Sequence, residues 1–272
     1  HLLYRITMLK KILLASLLAA PALLTLAQRT DGGISPQLLE KIKSSQSATP
    51  ADAALRNALA GAAINQLATN PSNPDATDTY FSHEVPSAGV TDQKSSGRCW
   101  LFTGMNVMRA RMIKDYNLGA FQFSQSYTFF YDQLEKANLF LQSVIDLADR
   151  PMDDKTVEWL FKNPLSDGGT FCGVADAVMK YGLVPAEVMP ESYQANNTSR
   201  LSSLIALKLR EYGLTLRQAV ARGEKAKQIA ERKQQMLATV YHMLSLTLGE
   251  PPVKFEWTQK DAQGRPVSTA TY

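Results

Sequence analysis

Cysteine and histidine are scarce in this chain, with two cysteines and three histidines in 272 residues. Cys99 and Cys172 stand far apart with no further ligands at close spacing, so they do not make a metal site, and no metal or cofactor is expected. Net charge of one sign is also lacking. The formal balance is +4, and leaving out Arg5, Lys10 and Lys11, the charged residues of the first 27, brings it to +1. The basic pI therefore says little about partners. No repeats or low-complexity tracts occur, and no basic motif is interleaved with aromatics, so no nucleic-acid partner is expected. The strongest basic cluster, Arg217 to Lys233, alternates with Ile229, Met236, Leu237 and Val240 and is expected to form the solvated face of an amphipathic helix.

The first residues carry a leader pattern. Lys10 and Lys11 precede an apolar run from Ile12 to Leu26, shorter than the roughly 20 residues that a membrane-spanning helix requires. Ala20, Ala22, Thr25 and Ala27 offer small residues for cleavage before Gln28 or slightly earlier. Residues 1–27 are expected to be a secretory signal peptide, with Met8 as the sensible start and residues 1–7 as upstream sequence. Export to a bacterial periplasm follows, with no stable membrane anchor; a leader that does not function would leave the protein cytoplasmic.

The chemistry concentrates in Gln93-Lys-Ser-Ser-Gly-Arg-Cys-Trp100. Leu101, Met105, Met108 and Met112 recur at a spacing of three to four, so a helix with one apolar face begins at Cys99. A thiol there sits at the positive end of the backbone dipole, which favours the thiolate that attacks a carbonyl carbon. Gly97 and the serine pair break the pattern upstream, and a turn there can fold the Gln93 amide back beside the thiol to donate to an oxyanion. The backbone N–H of Cys99 would be the second donor. Taken alone, without Gln93 and Gly97, Cys99 reads sooner as a small buried hydrophobe.

Thr91-Asp-Gln-Lys-Ser-Ser-Gly-Arg-Cys-Trp-Leu-Phe102 resembles the active-site segment of the bleomycin hydrolase and aminopeptidase C branch of the papain-like cysteine peptidases. Secreted papain and cathepsin enzymes carry Cys-Gly-Ser-Cys-Trp instead. Ser124-Gln-Ser-Tyr-Thr-Phe-Phe-Tyr-Asp-Gln-Leu-Glu-Lys-Ala-Asn138, Asp167-Gly-Gly169, Lys180-Tyr-Gly-Leu-Val-Pro185, Met189-Pro-Glu-Ser-Tyr193 and Leu248-Gly-Glu-Pro-Pro252 are similar to the same branch, in the same order, and the resemblance runs from about Ile34 to about Trp257. It implies an α+β papain-like fold, with a nucleophile at Cys99 and an oxyanion amide at Gln93. Gly97, Trp100, Gly168 and Gly169 would line the substrate site. A glycine pair suits an extended peptide, because no Cβ stands between the two backbones; by spacing alone it reads as an ordinary turn. The resemblance further implies peptide substrates cleaved at their amino termini and a homo-hexamer. Cys172 departs from the pattern and is expected to pack in the core; a Cys99–Cys172 disulfide would consume the nucleophile.

A thiolate needs a base, usually a His oriented by an Asn or Asp. His1 lies at the extreme end, His83 in a loop, and His242 within a long helical pattern, and none is assigned. In the resembled branch the catalytic His and Asn follow the nucleophile by a long stretch. The chain is therefore expected to be a fragment holding the helix-rich lobe, with the strand-rich lobe that carries His and Asn largely missing. A non-catalytic, exported peptide-binding or scaffold protein is the rival reading.

Three parts are expected: the leader at 1–27, a helical segment and loop at 28–90, and an incomplete peptidase domain at 91–272. Ser35-Pro36 and Thr49-Pro50 each open a short helix, with a capping residue ahead of proline at the first helical position. An Asn, Pro and Asp-rich loop leads to an extended segment around Phe81 and Val85. Further helices are expected at Gln125–Asp149, Asp154–Phe161, Val174–Tyr181, Ser199–Tyr212 and Thr215–Leu248. Asp261-Ala-Gln-Gly-Arg reads as a turn between two short extended segments.

Overall fold

The computed structural model describes residues 33–70, 72, 78, 80–85, 87 and 89–272. His1 and the expected leader lie outside the described residues. The chain forms two compact units that divide between Tyr80 and Phe81.

In the first unit the two prolines open helices as their spacing predicts. Ser35 Oγ accepts the Leu38 N–H at 3.1 Å ahead of α1, Pro36–Ser44. At α2, Pro50–Gly61, the Asp52 carboxylate accepts from the Thr49 N–H and hydroxyl at 2.5 and 3.0 Å. Those bonds, the backbone one first, hold the Asp52 carboxyl below the usual range. A third short helix, α3 at Ile64–Ala68, follows. None of the three contains a buried residue, and Leu38, Ile42, Leu55, Leu59 and Ile64 stay exposed.

The second unit is built around α5, Gln125–Asp146. It packs against α4 (Cys99–Tyr116), α6 (Lys155–Lys162) and α7 (Phe171–Tyr181), and most extensively against α9 (Thr198–Ala221) and α10 (Ala226–Leu248). Phe129, Phe130, Ala137 and Leu141 of α5 meet Ile205, Leu209 and Leu216 of α9 and Val240 and Leu244 of α10 in one core, all fully buried. At about 1.5–3 kcal/mol for each large apolar side chain removed from water, this core dominates the unit's stability. The α4 face read from the sequence faces inward: Leu101 and Met105 are buried, and Met108 and Met112 pack against the core.

Helix ends are set by local chemistry. Ser124 caps α5, accepting the Tyr127 N–H and donating to the Met189 carbonyl. Asp154 accepts the Thr156 and Val157 N–H groups ahead of α6. Asn117, in the left-handed region, ends α4, and Gly182 with φ +77° ends α7. A short helix α8, Tyr193–Asn196, precedes α9. Glu256–Lys260 (β1) and Pro266–Thr271 (β2) pair antiparallel through the turn at Asp261, whose carboxylate accepts from the Gln263 and Arg265 amides.

Three expectations are corrected. The break expected after Tyr212 falls instead at 222–225: α9 runs through Gly213, where a Cβ would stand 3.0 Å from the Phe161 ring, while Gly223 takes φ +75° and ends the helix. Glycine at 213 makes room for an aromatic ring, not for a turn. The basic cluster consequently spans two helices, with Arg217 donating to the Leu147 carbonyl and Arg232 paired with Glu224. Phe81 to Val85, expected to be extended, bend at Ser82 and His83, and both end residues are exposed.

Candidate active site

Gln93 to Trp100 is a tight turn entering α4. Lys94 takes φ +54°, unusual for a residue with a Cβ. Ser95 donates its N–H to the Asn196 carbonyl at 3.0 Å, tying the turn to the segment before α9. The Gln93 side-chain amide folds back across the turn and donates to the Ser96 carbonyl at 2.5 Å, while Ser96 Oγ donates to the Gln93 carbonyl at 2.6 Å. These two bonds close the turn between Gln93 and Ser96, three residues ahead of Cys99. Cys99 is the first residue of α4, and its thiol is exposed.

The turn is anchored on both sides of the thiol. Arg98 is 0% exposed. Its Nη1 and Nη2 donate to Glu191 Oε1 and Oε2 at 3.0 and 2.7 Å, and its Nε donates to Ser96 Oγ at 3.0 Å. Ser126 of α5 adds a third hydrogen bond to Glu191, and the Phe102 and Phe129 rings flank the guanidinium. A buried charge is tolerated only when paired and hydrogen-bonded, and this one is both. On the other side, Asp167 Oδ2 accepts the Gly97 N–H at 2.8 Å, and the Asp167 carbonyl accepts the Trp100 indole N–H at 3.0 Å.

The glycine pair lies on the loop just before α7. Lys136 of α5 donates to the Ser166 and Gly168 carbonyls at 3.1 and 2.6 Å and pairs with Asp132 at 2.8 Å, its ammonium 5.3 Å from the centre of the Trp100 ring. Burial pushes the Asp132 carboxyl up, against the pull of Lys136. A Cβ on Gly168 would meet nothing within 4 Å, so no internal packing demands glycine there. A Cβ on Gly169 would stand 2.6 Å from the Trp100 ring, which is only 8% exposed and lies beneath the loop. A groove of about 590 Å3 opens between α5 and α7, lined by Asp132 and Lys136 of the one helix and Gly173 and Asp176 of the other.

Cys172 is not in the core. It is the second residue of α7 and exposed, because only Val174 of that helix is buried; both cysteines are free. His83 is exposed beside Ser82, and His242 lies on the exposed side of α10, so neither is bonded to Cys99. Arg98, Glu191, Asp167, Lys136 and Thr198 carry the geometry of the turn without having been singled out for it. Arg98 and Asp167 adjoin the residues that were, and that adjacency was the available signal.

The pattern described as the Peptidase C1-like family matches residues 33–267. Aminopeptidase C of Lactobacillus delbrueckii subsp. lactis is 37% identical over 231 residues, covering 85% of this chain and 51% of that protein. Bleomycin hydrolase of Gallus gallus is 40% identical over 191 residues, covering 69% and 42%. The crystal structure of pepw from Lactobacillus rhamnosis HN001 aligns with a TM-score of 0.79 at 37% identity, covering 89% of this chain and 54% of that one. The fold is papain-like. The chain spans about half the length of the curated relatives it matches.

Proposed function

Since the chain belongs to the Peptidase C1-like family, we propose that it forms the nucleophile side of a cysteine peptidase that removes amino-terminal residues from peptides. The observation that carries this is an exposed cysteine at the first position of α4, directly after the turn that the Gln93 amide closes on Ser96. In the reaction, the Cys99 thiolate attacks the scissile carbonyl carbon, and the oxyanion that develops is met by the Gln93 amide and the Cys99 backbone N–H. Collapse breaks the C–N bond, the departing amine takes a proton from the acid form of the base, and a thioester remains. Water, deprotonated by the same base, then attacks the thioester carbonyl carbon; the C–S bond breaks, the carboxylic acid product leaves, and the sulfur departs as the thiolate while the base keeps the proton. The base and its orienting partner are proposed to be a His and an Asn outside residues 1–272. Gly168, with open space where a side chain would be, is the backbone contact for the peptide, and Gly97, Trp100 and Gly169 support it.

The test uses the full-length protein. Incubated with a peptidyl electrophile, it should gain one adduct on Cys99 by mass spectrometry, and it should hydrolyse peptides with a free amino terminus faster than amino-blocked ones. Binding of peptides without turnover would support a non-catalytic peptide-binding role instead. Export through the leader at 1–27 is proposed as well and is checked by cell fractionation; a homo-hexamer, implied by the resemblance, is checked by light scattering.

A further inference from the structure

Two glycines lie in two different loops, and each has its missing side chain replaced by a residue of the other loop. A Cβ on Gly97 would stand 2.3 Å from Asp167 Oδ1, and a Cβ on Gly169 would stand 2.6 Å from the Trp100 ring. The nucleophile turn and the glycine-pair loop therefore interlock reciprocally, with Asp167 filling the space at Gly97 and Trp100 the space at Gly169. Asp167 closes the lock with hydrogen bonds: Oδ2 accepts from the Gly97 N–H at 2.8 Å and from the Thr198 hydroxyl at 2.5 Å, and its carbonyl accepts from the Trp100 indole at 3.0 Å. From behind, Gln133 and Lys136 of α5 hold the Ser166 carbonyl, and Lys136 also holds that of Gly168. Within the loop only Gly168 is left with open space at its Cβ position.

We propose that Asp167 is a positioning residue that sets the distance between the Cys99 sulfur and Gly168, and so aligns a bound peptide backbone with the nucleophile. This rests on the reading of Cys99 as a peptidase nucleophile. A bound peptide touches Gly168 and the sulfur at once, so a shift of the loop misaligns the scissile carbonyl while leaving the thiol itself intact. Misplacement by about 1 Å can lower a rate on the order of 100-fold.

The experiment compares Asp167→Ala, Asp167→Asn and Thr198→Val in the full-length protein, using peptide hydrolysis, alkylation by iodoacetamide and hydrogen exchange at the Gly97 amide. Iodoacetamide is too small to need Gly168. Asp167→Ala should lower kcat/KM for peptides by roughly 10- to 100-fold, leave the alkylation rate of Cys99 within about twofold, and expose the Gly97 amide to exchange. Asp167→Asn keeps an oxygen that accepts both bonds and should retain most peptide activity. Thr198→Val, which removes one donor, should give a smaller loss of the same kind, and it decides the matter if Asp167→Ala does not fold. Unchanged peptide kcat/KM in Asp167→Ala, or in Thr198→Val when Asp167→Ala does not fold, overturns the proposal. So does an equal loss of alkylation and hydrolysis, or an Asp167→Asn variant as damaged as Asp167→Ala. If the unaltered protein hydrolyses no peptide, the peptidase reading falls by itself, and the Gly97 amide still reports whether Asp167 forms the lock.

Discussion

Cys99 and Cys172 occupy nearly the same local environment by every measure that the helix alone provides. Each is exposed, and each lies in the first turn of a helix of the second unit, where the backbone dipole favours an anion. Their anchoring differs. The turn before Cys99 is held by a buried Arg98–Glu191 pair on one side and by Asp167 on the other. The turn before Cys172 begins at Thr170, whose side chain makes no capping bond, and its helix buries only Val174. The dipole provides a field at both helices; what differs is that the residue next to Cys99 is a buried, paired arginine, whereas the one next to Cys172, Phe171, is 60% exposed.

The sharpest way to break this comparison is to remove each sulfur in the full-length protein. Cys99→Ser should lower kcat on the order of a thousandfold or more, as expected when a nucleophile is lost, whereas Cys172→Ser should leave peptide hydrolysis unchanged; comparable losses in steady-state assays would end the distinction. Next comes Gln93→Ala, expected to cut kcat by roughly 100- to 1,000-fold, the loss typical of one oxyanion donor. An unchanged kcat there would remove Gln93 from the mechanism.

Anchoring is tested through stability. Glu191→Ala leaves the Arg98 guanidinium buried without its partner, which should destabilise by about 3 kcal/mol in urea unfolding, near the low end for broken buried pairs because Glu191 is 28% exposed. Thr170→Ala, at the unbonded cap of α7, should change stability by less than about 0.5 kcal/mol. Reactivity gives a smaller contrast: near neutral pH, iodoacetamide should modify Cys99 faster than Cys172 in the full-length protein, and equal rates by mass spectrometry would mean that helix position is all that matters.

The mildest effect concerns Asp132, which holds Lys136 over Trp100. Its carboxyl is raised mainly by burial, so the folded state takes up this proton at a higher pH than the unfolded chain does. The stability contributed by the neutral carboxyl is then fully present below the ordinary carboxylate range and is lost as pH rises through the raised value. Asp132→Asn should be slightly more resistant to urea than the parent at neutral pH, and the advantage should shrink on acidification. A variant that is less stable at every pH would show that the attraction of Lys136 outweighs burial.

What could be read along the chain was what is decided within a few residues. The Ser35-Pro36 and Thr49-Pro50 starts, the apolar face of α4 and the turn at Asp261 depend on capping, periodicity and turn chemistry, and each lies where the residues indicate. The end of α9 could not be read this way, because Gly213 is required by the Phe161 ring, which belongs to another helix. The exposure of Cys172 escaped for the same reason: whether a small thiol is buried depends on what packs over α7, not on its neighbours in the chain.

The candidate site divides along the same line. By itself the sequence determined that a thiol begins a helix, that an amide sits six residues upstream, and that a glycine pair follows far along the chain. Only the tertiary structure decided that Asp167, seventy residues from Gly97, lodges in the space Gly97 leaves empty, that Trp100 does the same for Gly169, and that Arg98 finds Glu191. Capping and helical periodicity act over one or two turns, so they can be read locally; close packing and the pairing of a buried charge are settled only when distant segments meet.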